Sequence, residues 1–135
     1  MIVIDSSAVV AIFFGEPAAA AVRARIAKER PDARVMSAAS YLETGAVLAG
    51  HRKDQPRQAI DDLDGFLMEA GIELVPVDAE QARIALEARI RYGRGFGTSA
   101  KLNFGDCFSY ALAKTNAAPL LYVGNDFDKT DVKRA

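Results

Sequence analysis

Met1-Ile-Val-Ile-Asp-Ser-Ser7 opens the chain and decides how the rest is read. Ile2, Val3 and Ile4 form an unbroken β-branched run rather than an alternating one. That pattern belongs to a strand buried on both faces, as in a parallel sheet covered by helices on either side. The run stops at Asp5, and Ser6 or Ser7 can cap a helix starting near Ala8. Asp5 is thereby predicted at the carboxyl end of a strand, the edge where open α/β sheets bind ligands. The plain alternative is an aspartate that merely starts a turn.

Outward from this segment, apolar runs and helical periods alternate. An apolar helix is expected from Ala8 to Phe14, stopped near Gly15, and a second from Glu16-Pro17 to about Arg30. Arg34-Val-Met36 reads as a strand, with Ser37 as N-cap of a helix from Ala38 to about Arg52 whose apolar face carries Leu42, Ala46 and Ala49. A helix after Pro56 reaches about Ala70, and Ile72-Glu-Leu-Val-Pro76 is a third strand. Asp78 caps a helix from Ala79 to Tyr92. A glycine-rich loop over 93–103 leads to a helix at Phe104–Lys114, buried through Phe108, Leu112 and Cys107. Pro119-Leu-Leu-Tyr-Val123 is the last strand. Strands alternating with helices, without hairpin signals, imply an α/β fold with a mostly parallel sheet.

Composition narrows the chemistry. The 135 residues are read as a single domain over 1–135; half are hydrophobic and a quarter charged, as in soluble globular proteins. No apolar run approaches a membrane span, and the opening lacks the basic flank of a signal peptide, so a cytoplasmic protein without membrane contact is expected. One cysteine, Cys107, excludes an internal disulfide and a multi-cysteine zinc site. One histidine, His51, leaves little room for imidazole-based nucleophilic catalysis, and no Gly-Lys-Ser/Thr phosphate loop is present. An aspartyl-phosphate phosphatase is disfavoured because Ser7 stands where its second aspartate belongs. With a net charge of −1, binding to nucleic acid has to use a local patch. Arg83, Arg89, Arg91, Arg94 and Lys101, with Phe96 as a base-stacking ring, form such a track.

Carboxylates remain as the reactive groups. Asp5 and Asp126 follow strands, Asp106 starts a helix, and Glu43 lies in the first half of a helix that follows a strand. Four such acids converging without histidine or cysteine would make an oxygen-rich site suited to Mg²⁺ or Mn²⁺. Their mutual repulsion calls for a cation.

Four segments carry a family resemblance: Ile2-Val-Ile-Asp-Ser-Ser-Ala-Val9, Ala38-Ala-Ser-Tyr-Leu-Glu-Thr-Gly45, Leu102-Asn-Phe-Gly-Asp-Cys-Phe108 and Leu120-Leu-Tyr-Val-Gly-Asn-Asp-Phe127. In this order the chain resembles the PIN-domain ribonucleases, in particular the VapC toxins of bacterial toxin–antitoxin pairs. The resemblance implies a three-layer α/β/α fold and a Mg²⁺-dependent endoribonuclease, with Mn²⁺ as the alternative ion. Asp5 and Asp106 would be the principal ligands, and Glu43 would complete the site and orient water. Aligning the glycine puts Asn125 in the fourth position, whereas aligning the phenylalanine selects Asp126; Asp126 is taken, with Asn125 as a hydrogen-bonding neighbour. Ser6 and Thr44 are expected to orient the carboxylates through hydroxyl bonds. The partners implied are RNA, a VapB-like antitoxin and a second copy in a homodimer. Part of the apolar set Val9, Val10, Ile12, Phe13 and Phe14 is expected to face one of the two protein partners. A non-cleaving PIN-like binding module is the competing reading.

Overall fold

In the computed structural model, which describes residues 1–135, four parallel strands form one sheet. They are β1 (Ile2–Ile4), β2 (Arg34–Ser37), β3 (Glu73–Val75) and β4 (Leu120–Leu121), in the order β3-β2-β1-β4. Val3 lies opposite Val35 on one side and Leu120 on the other, so β1 is an interior strand. The helices are α1 (Ser6–Phe13), α2 (Ala19–Lys28), α3 (Ala38–His51), α4 (Pro56–Glu69), α5 (Ala79–Tyr92) and α6 (Asp106–Thr115).

The two-residue period of a strand divides the apolar side chains between two cores. Ile2, Ile4, Met36 and Leu121 enter one core with Val9, Leu48 and Leu63 from α1, α3 and α4. Val3, Val35 and Leu120 enter the other with Ala85, Ala88, Ala111 and Leu112 from α5 and α6. Ile2, Val3 and Ile4 are all fully buried, each worth on the order of 2 kcal/mol of apolar burial. This is the expected three-layer α/β/α arrangement. Because all strand pairs are parallel, the residues following β1, β2 and β4 emerge at one edge of the sheet.

Element ends depart from the sequence reading where local capping competes with periodicity. The N-cap of α1 is Asp5 rather than a serine: its Oδ2 accepts from the Ser7 amide at 3.0 Å, and the helix begins at Ser6. Ser37 and Asp78 cap α3 and α5 as expected. The second helix starts only at Ala19, and β4 is two residues long. Phe104 is exposed ahead of α6, and Phe108 is half-buried against it, edge-on at 5.1 Å between centroids.

The buried face of α3 also differs. Leu42 is 71 % exposed and Ala46 is exposed, while Ser40, Thr44, Gly45 and Leu48 are buried. Small side chains on this face allow close packing: a Cβ on Gly45 would lie 3.2 Å from Ile60 Cδ1 on α4. Hydrophobicity alone selects the wrong stripe, because the inward one is chosen for size. No helix is long and apolar enough to cross a membrane.

After β4 the chain returns along its free edge. Leu120 donates its amide to Lys133 O at 2.8 Å, and Ala135 donates its own to Leu120 O at 2.9 Å, so a parallel bridge at Arg134 covers part of β4.

The assignment of faces on α3 predicts unequal truncation costs. Leu48→Ala should lower stability in urea denaturation by about 2–4 kcal/mol, and Leu42→Ala by less than about 0.5 kcal/mol.

Candidate active site

At the end of β1, burial takes the Asp5 carboxylate almost wholly out of solvent, with 2 % of the residue exposed. Its oxygens are satisfied from two helices. Oδ2 accepts from the Ser7 amide and from Ser7 Oγ at 2.6 Å, and Oδ1 accepts from Ser109 Oγ at 2.6 Å. Ser109 Oγ lies 2.9 Å from Ser40 Oγ, and Ser7 Oγ accepts from the Val123 amide at 3.0 Å. One carboxylate thus ties α1 directly to α6 and, through the serines, reaches α3 and the segment after β4.

Glu43 reaches the same pocket from the second turn of α3. Ser6 donates its hydroxyl to Glu43 Oε1. The carboxylate lies against the Gly105 backbone, where a Cβ would overlap it, with Glu43 Cδ only 2.7 Å away. Any side chain at 105 would therefore displace Glu43. Gly105 leaves room for the carboxylate in this position.

Asp106 is the first residue of α6 and is 7 % exposed. It exchanges bonds with Asn103: the Asn103 amide donates to Asp106 Oδ2 at 3.0 Å, and the Asp106 amide donates to Asn103 Oδ1 at 2.8 Å. Burial is the main cause that pushes the Asp106 carboxyl up to about 7; the Asn103 amide opposes it, and the charges of Asp5, Asp126 and Glu43 add to it. The other three acids therefore lie near enough to Asp106 to act on it at this sheet edge.

Asp126 is half-buried in the loop after β4, whereas Asn125 is exposed and makes no side-chain hydrogen bond. Both line a cleft of about 190 Å³ with Lys101 and Lys129. Thr44 is fully buried, but its hydroxyl donates to the Ser40 carbonyl at 2.8 Å and so does not orient a carboxylate. In a helix interior that carbonyl, one turn back, is the nearest acceptor. Ser109 and Asn103 carry supporting bonds that the sequence reading missed, while Ser7, one of the two serines after Asp5, bonds that acid directly. The signals were there: a hydroxyl on the apolar face of α6, and the Asn-x-x-Asp spacing of a helix start.

The chemistry of the donors suits a hard cation. Carboxylates supply the charge, and no histidine or thiolate competes. Cys107 donates its thiol to the Asn103 carbonyl, and burial pushes that thiol up to about 11. No three histidine, cysteine, aspartate or glutamate side chains are drawn into a ready-made ligand cluster. Serine hydroxyls face several of the carboxylate oxygens instead.

The basic residues divide by role. Arg89 donates Nη1 to the Leu102 carbonyl at 2.7 Å and sits 5.4 Å from the Phe96 ring centroid, bracing the glycine-rich loop. Arg83, Arg91 and Arg94 are exposed on α5 and the start of the loop, and Lys101 flanks the cleft beside Asp126. At the far end of α1, Val9 and Ile12 are core residues. Phe13 lies edge-on to Phe66 at 5.6 Å, and Phe14, 40 % exposed, stacks on His51 at 4.5 Å. These two phenylalanines line a groove of about 250 Å³ with Leu48 and Ala59.

With this geometry in view, comparison with known proteins defines the class. A family profile for the PIN domain matches residues 2–133. The chain is 47 % identical over 133 residues to ribonuclease VapC28 of Mycobacterium tuberculosis, covering 98 % of this chain and 96 % of that one. It is 48 % identical over 130 residues to a ribonuclease VapC of Mycolicibacterium smegmatis, covering 96 % of each. Among solved structures, M. tuberculosis VapC20, described as a sarcin–ricin loop cleaving toxin, superposes with a TM-score of 0.77 at 17 % identity, over 100 % of this chain and 98 % of that one. A toxin–antitoxin complex from Klebsiella pneumoniae gives 0.65 at 14 % identity, over 97 % and 93 %. The chain belongs to the PIN-domain family and, within it, to the branch of the VapC ribonucleases.

The crowding of charge has a thermodynamic consequence. Without divalent ions the folded Asp106 holds its proton to about 7, while the unfolded chain releases it near the ordinary value of 3.8. Stability from this group is therefore present below the unfolded value and is lost as pH rises through that window. Asp106→Asn should raise the melting temperature at pH 7.5 in EDTA by about 3 °C, for about 1 kcal/mol, because a neutral amide removes the cost of a buried charge and, secondarily, its repulsion by the other acids. Calorimetry showing a lower melting temperature for the variant would contradict the account.

Proposed function

We propose that this chain is the toxin of a type II toxin–antitoxin pair, a Mg²⁺-dependent endoribonuclease that hydrolyses RNA phosphodiester bonds in the cytoplasm. The observation that carries the reading is the gathering of buried Asp5 and Asp106 with Glu43 and the half-buried Asp126 at one sheet edge, where serine hydroxyls hold Asp5 and Glu43. The names of the similar proteins support the reaction class. The four acids would hold the ion, Mg²⁺ or Mn²⁺. Once bound, the ion would supply Lewis-acid stabilisation of the charge that develops on the phosphate.

The rest of the work falls to the protein's own groups. Ser7 and Ser109 fix Asp5 so that it cannot turn away when the pocket is crowded. Ser6 holds one oxygen of Glu43, leaving Oε2 to accept a hydrogen bond from the attacking water and align it with phosphorus. Lys101 and Lys129, on the cleft beside Asp126, attract the phosphates of the RNA strand. Water adds its oxygen to phosphorus and releases a proton to solvent as the P–O bond to the leaving nucleotide breaks, and the leaving oxygen takes up a proton from solvent.

An antitoxin of VapB type would lie in the groove at Phe13 and Phe14 and extend a basic side chain toward the acids; the solved toxin–antitoxin neighbour supports a partner of this kind. Exposed apolar residues on α3 and α5, among them Leu42, Leu86 and Ile90, support a homodimer.

Two measurements test these statements. Asp5→Asn and Asp106→Asn should each lower RNA cleavage in Mg²⁺ by about 10³-fold or more, an estimate at the scale of losing a charge-stabilising group, with far-UV circular dichroism unchanged. RNA binding without cleavage by the wild-type protein, at any Mg²⁺ or Mn²⁺ concentration, would establish the binding-module reading instead. Phe14→Asp should weaken capture of the co-expressed antitoxin by about 2 kcal/mol, as for a buried aromatic anchor, while leaving cleavage intact; equal affinity in calorimetric titration would remove the groove from the interface.

A further inference from the structure

Arg134 follows the loop of Asp126 in the chain, on the segment that returns beside β4. Its backbone position is set from both sides, by Leu120 N donating to Lys133 O and by Ala135 N donating to Leu120 O. From there the guanidinium lies over the Tyr122 ring, 3.9 Å from its centroid. The Arg134 Nη2 donates to the Gly124 carbonyl at 2.9 Å and to Asp128 Oδ1 at 2.7 Å. The Tyr122 hydroxyl donates to the same Asp128 oxygen at 2.8 Å, and the Tyr122 ring packs on buried Phe127 at 4.8 Å.

These contacts bracket Asp126. Gly124 turns the chain through φ +93°, a conformation that L side chains rarely adopt, and Arg134 holds its carbonyl. On the other side, Phe127 is sunk in the core and Asp128 is held by both Arg134 and Tyr122. Only Asn125 and Asp126 project between the two fixed ends. The Arg134–Asp128 pair is about half exposed, and exposed ion pairs add little to stability. What the arrangement supplies is a fixed place for the loop.

We propose that Arg134 is a positioning residue for Asp126, clamping the 124–128 loop so that the fourth carboxylate is presented to a divalent cation at the sheet edge. This rests on the reading of Asp126 as a ligand. A cation site gains affinity when its donors are held before the ion arrives, and a carboxylate on an unclamped loop loses that advantage.

The test is a double-mutant cycle on the full chain, read as Mn²⁺ affinity by isothermal titration calorimetry, with melting temperatures alongside. Arg134→Ala should weaken Mn²⁺ binding about fivefold, less than the roughly 10–100-fold typical of a group bonded directly to a ligand. Arg134→Lys should recover part of the loss. In the Asp126→Asn background, Arg134→Ala should change affinity less than twofold. Tyr122→Phe, which removes only the hydroxyl on Asp128, should weaken binding in the same direction by a smaller factor. Wild-type affinity in Arg134→Ala, or an equal loss in both backgrounds, overturns the proposal while leaving Asp126 as a ligand. Unchanged affinity in Asp126→Asn alone overturns the ligand reading and the clamp together.

Discussion

A carboxylate buried at the end of an interior strand is the constraint around which this fold is arranged. Removing an ionised aspartate from water costs several kcal/mol unless its oxygens are satisfied. Asp5 is satisfied by the Ser7 amide, the Ser7 hydroxyl and the Ser109 hydroxyl. Those donors belong to α1 and α6, and the Ser7 hydroxyl also holds the Val123 amide beyond β4. The demand for three hydrogen bonds thus fixes the relative placement of α1, α6 and the end of β4. The same bonds leave the acid rigid at the edge where ligands reach a parallel sheet.

Around that anchor the protein concentrates charge that works against its own stability. Asp106 lies buried within reach of three other acids, and Glu43 packs so closely on Gly105 that a side chain there would push its carboxylate aside. The two apolar cores on either side of the sheet offset this repulsion, with β1 fully buried between them. Strain of this kind is tolerated where function requires it. A rigid core and a frustrated edge are two parts of one arrangement, since the strands that bury Ile4 and Leu121 also deliver Asp5 and the Asp126 loop.

Much of the fold was legible because periodicity is a local property. The apolar run at Ile2–Ile4, the caps at Ser37 and Asp78, and the alternation of strands with helices all follow from neighbours in sequence. The inward face of α3 was not legible. Leu42, Ala46 and Ala49 form the more apolar stripe, yet close packing against α4 and α6 selects Ser40, Thr44, Gly45 and Leu48. At the site, Asp5 and Asp106 could be placed from strand-end and helix-start positions. Ser109, more than a hundred residues from its acceptor, could not. Thr44 illustrates the opposite failure, a hydroxyl next to an acid that turns instead to its own helix backbone.

By itself, the sequence determined the parallel α/β layering and which acids stand at strand and helix ends, because both depend on spacings of a few residues. The tertiary structure decided which side chains serve those acids. It brought Ser109 onto Asp5, Gly105 against Glu43 and Arg134 onto the loop of Asp126. It also separated Asp126, whose charge acts on Asp106, from the exposed Asn125 beside it. Hydrogen bonds and steric fit act over a few ångströms in space, and only folding brings residues as distant in the chain as Ser109 and Asp5, or Gly105 and Glu43, within that range.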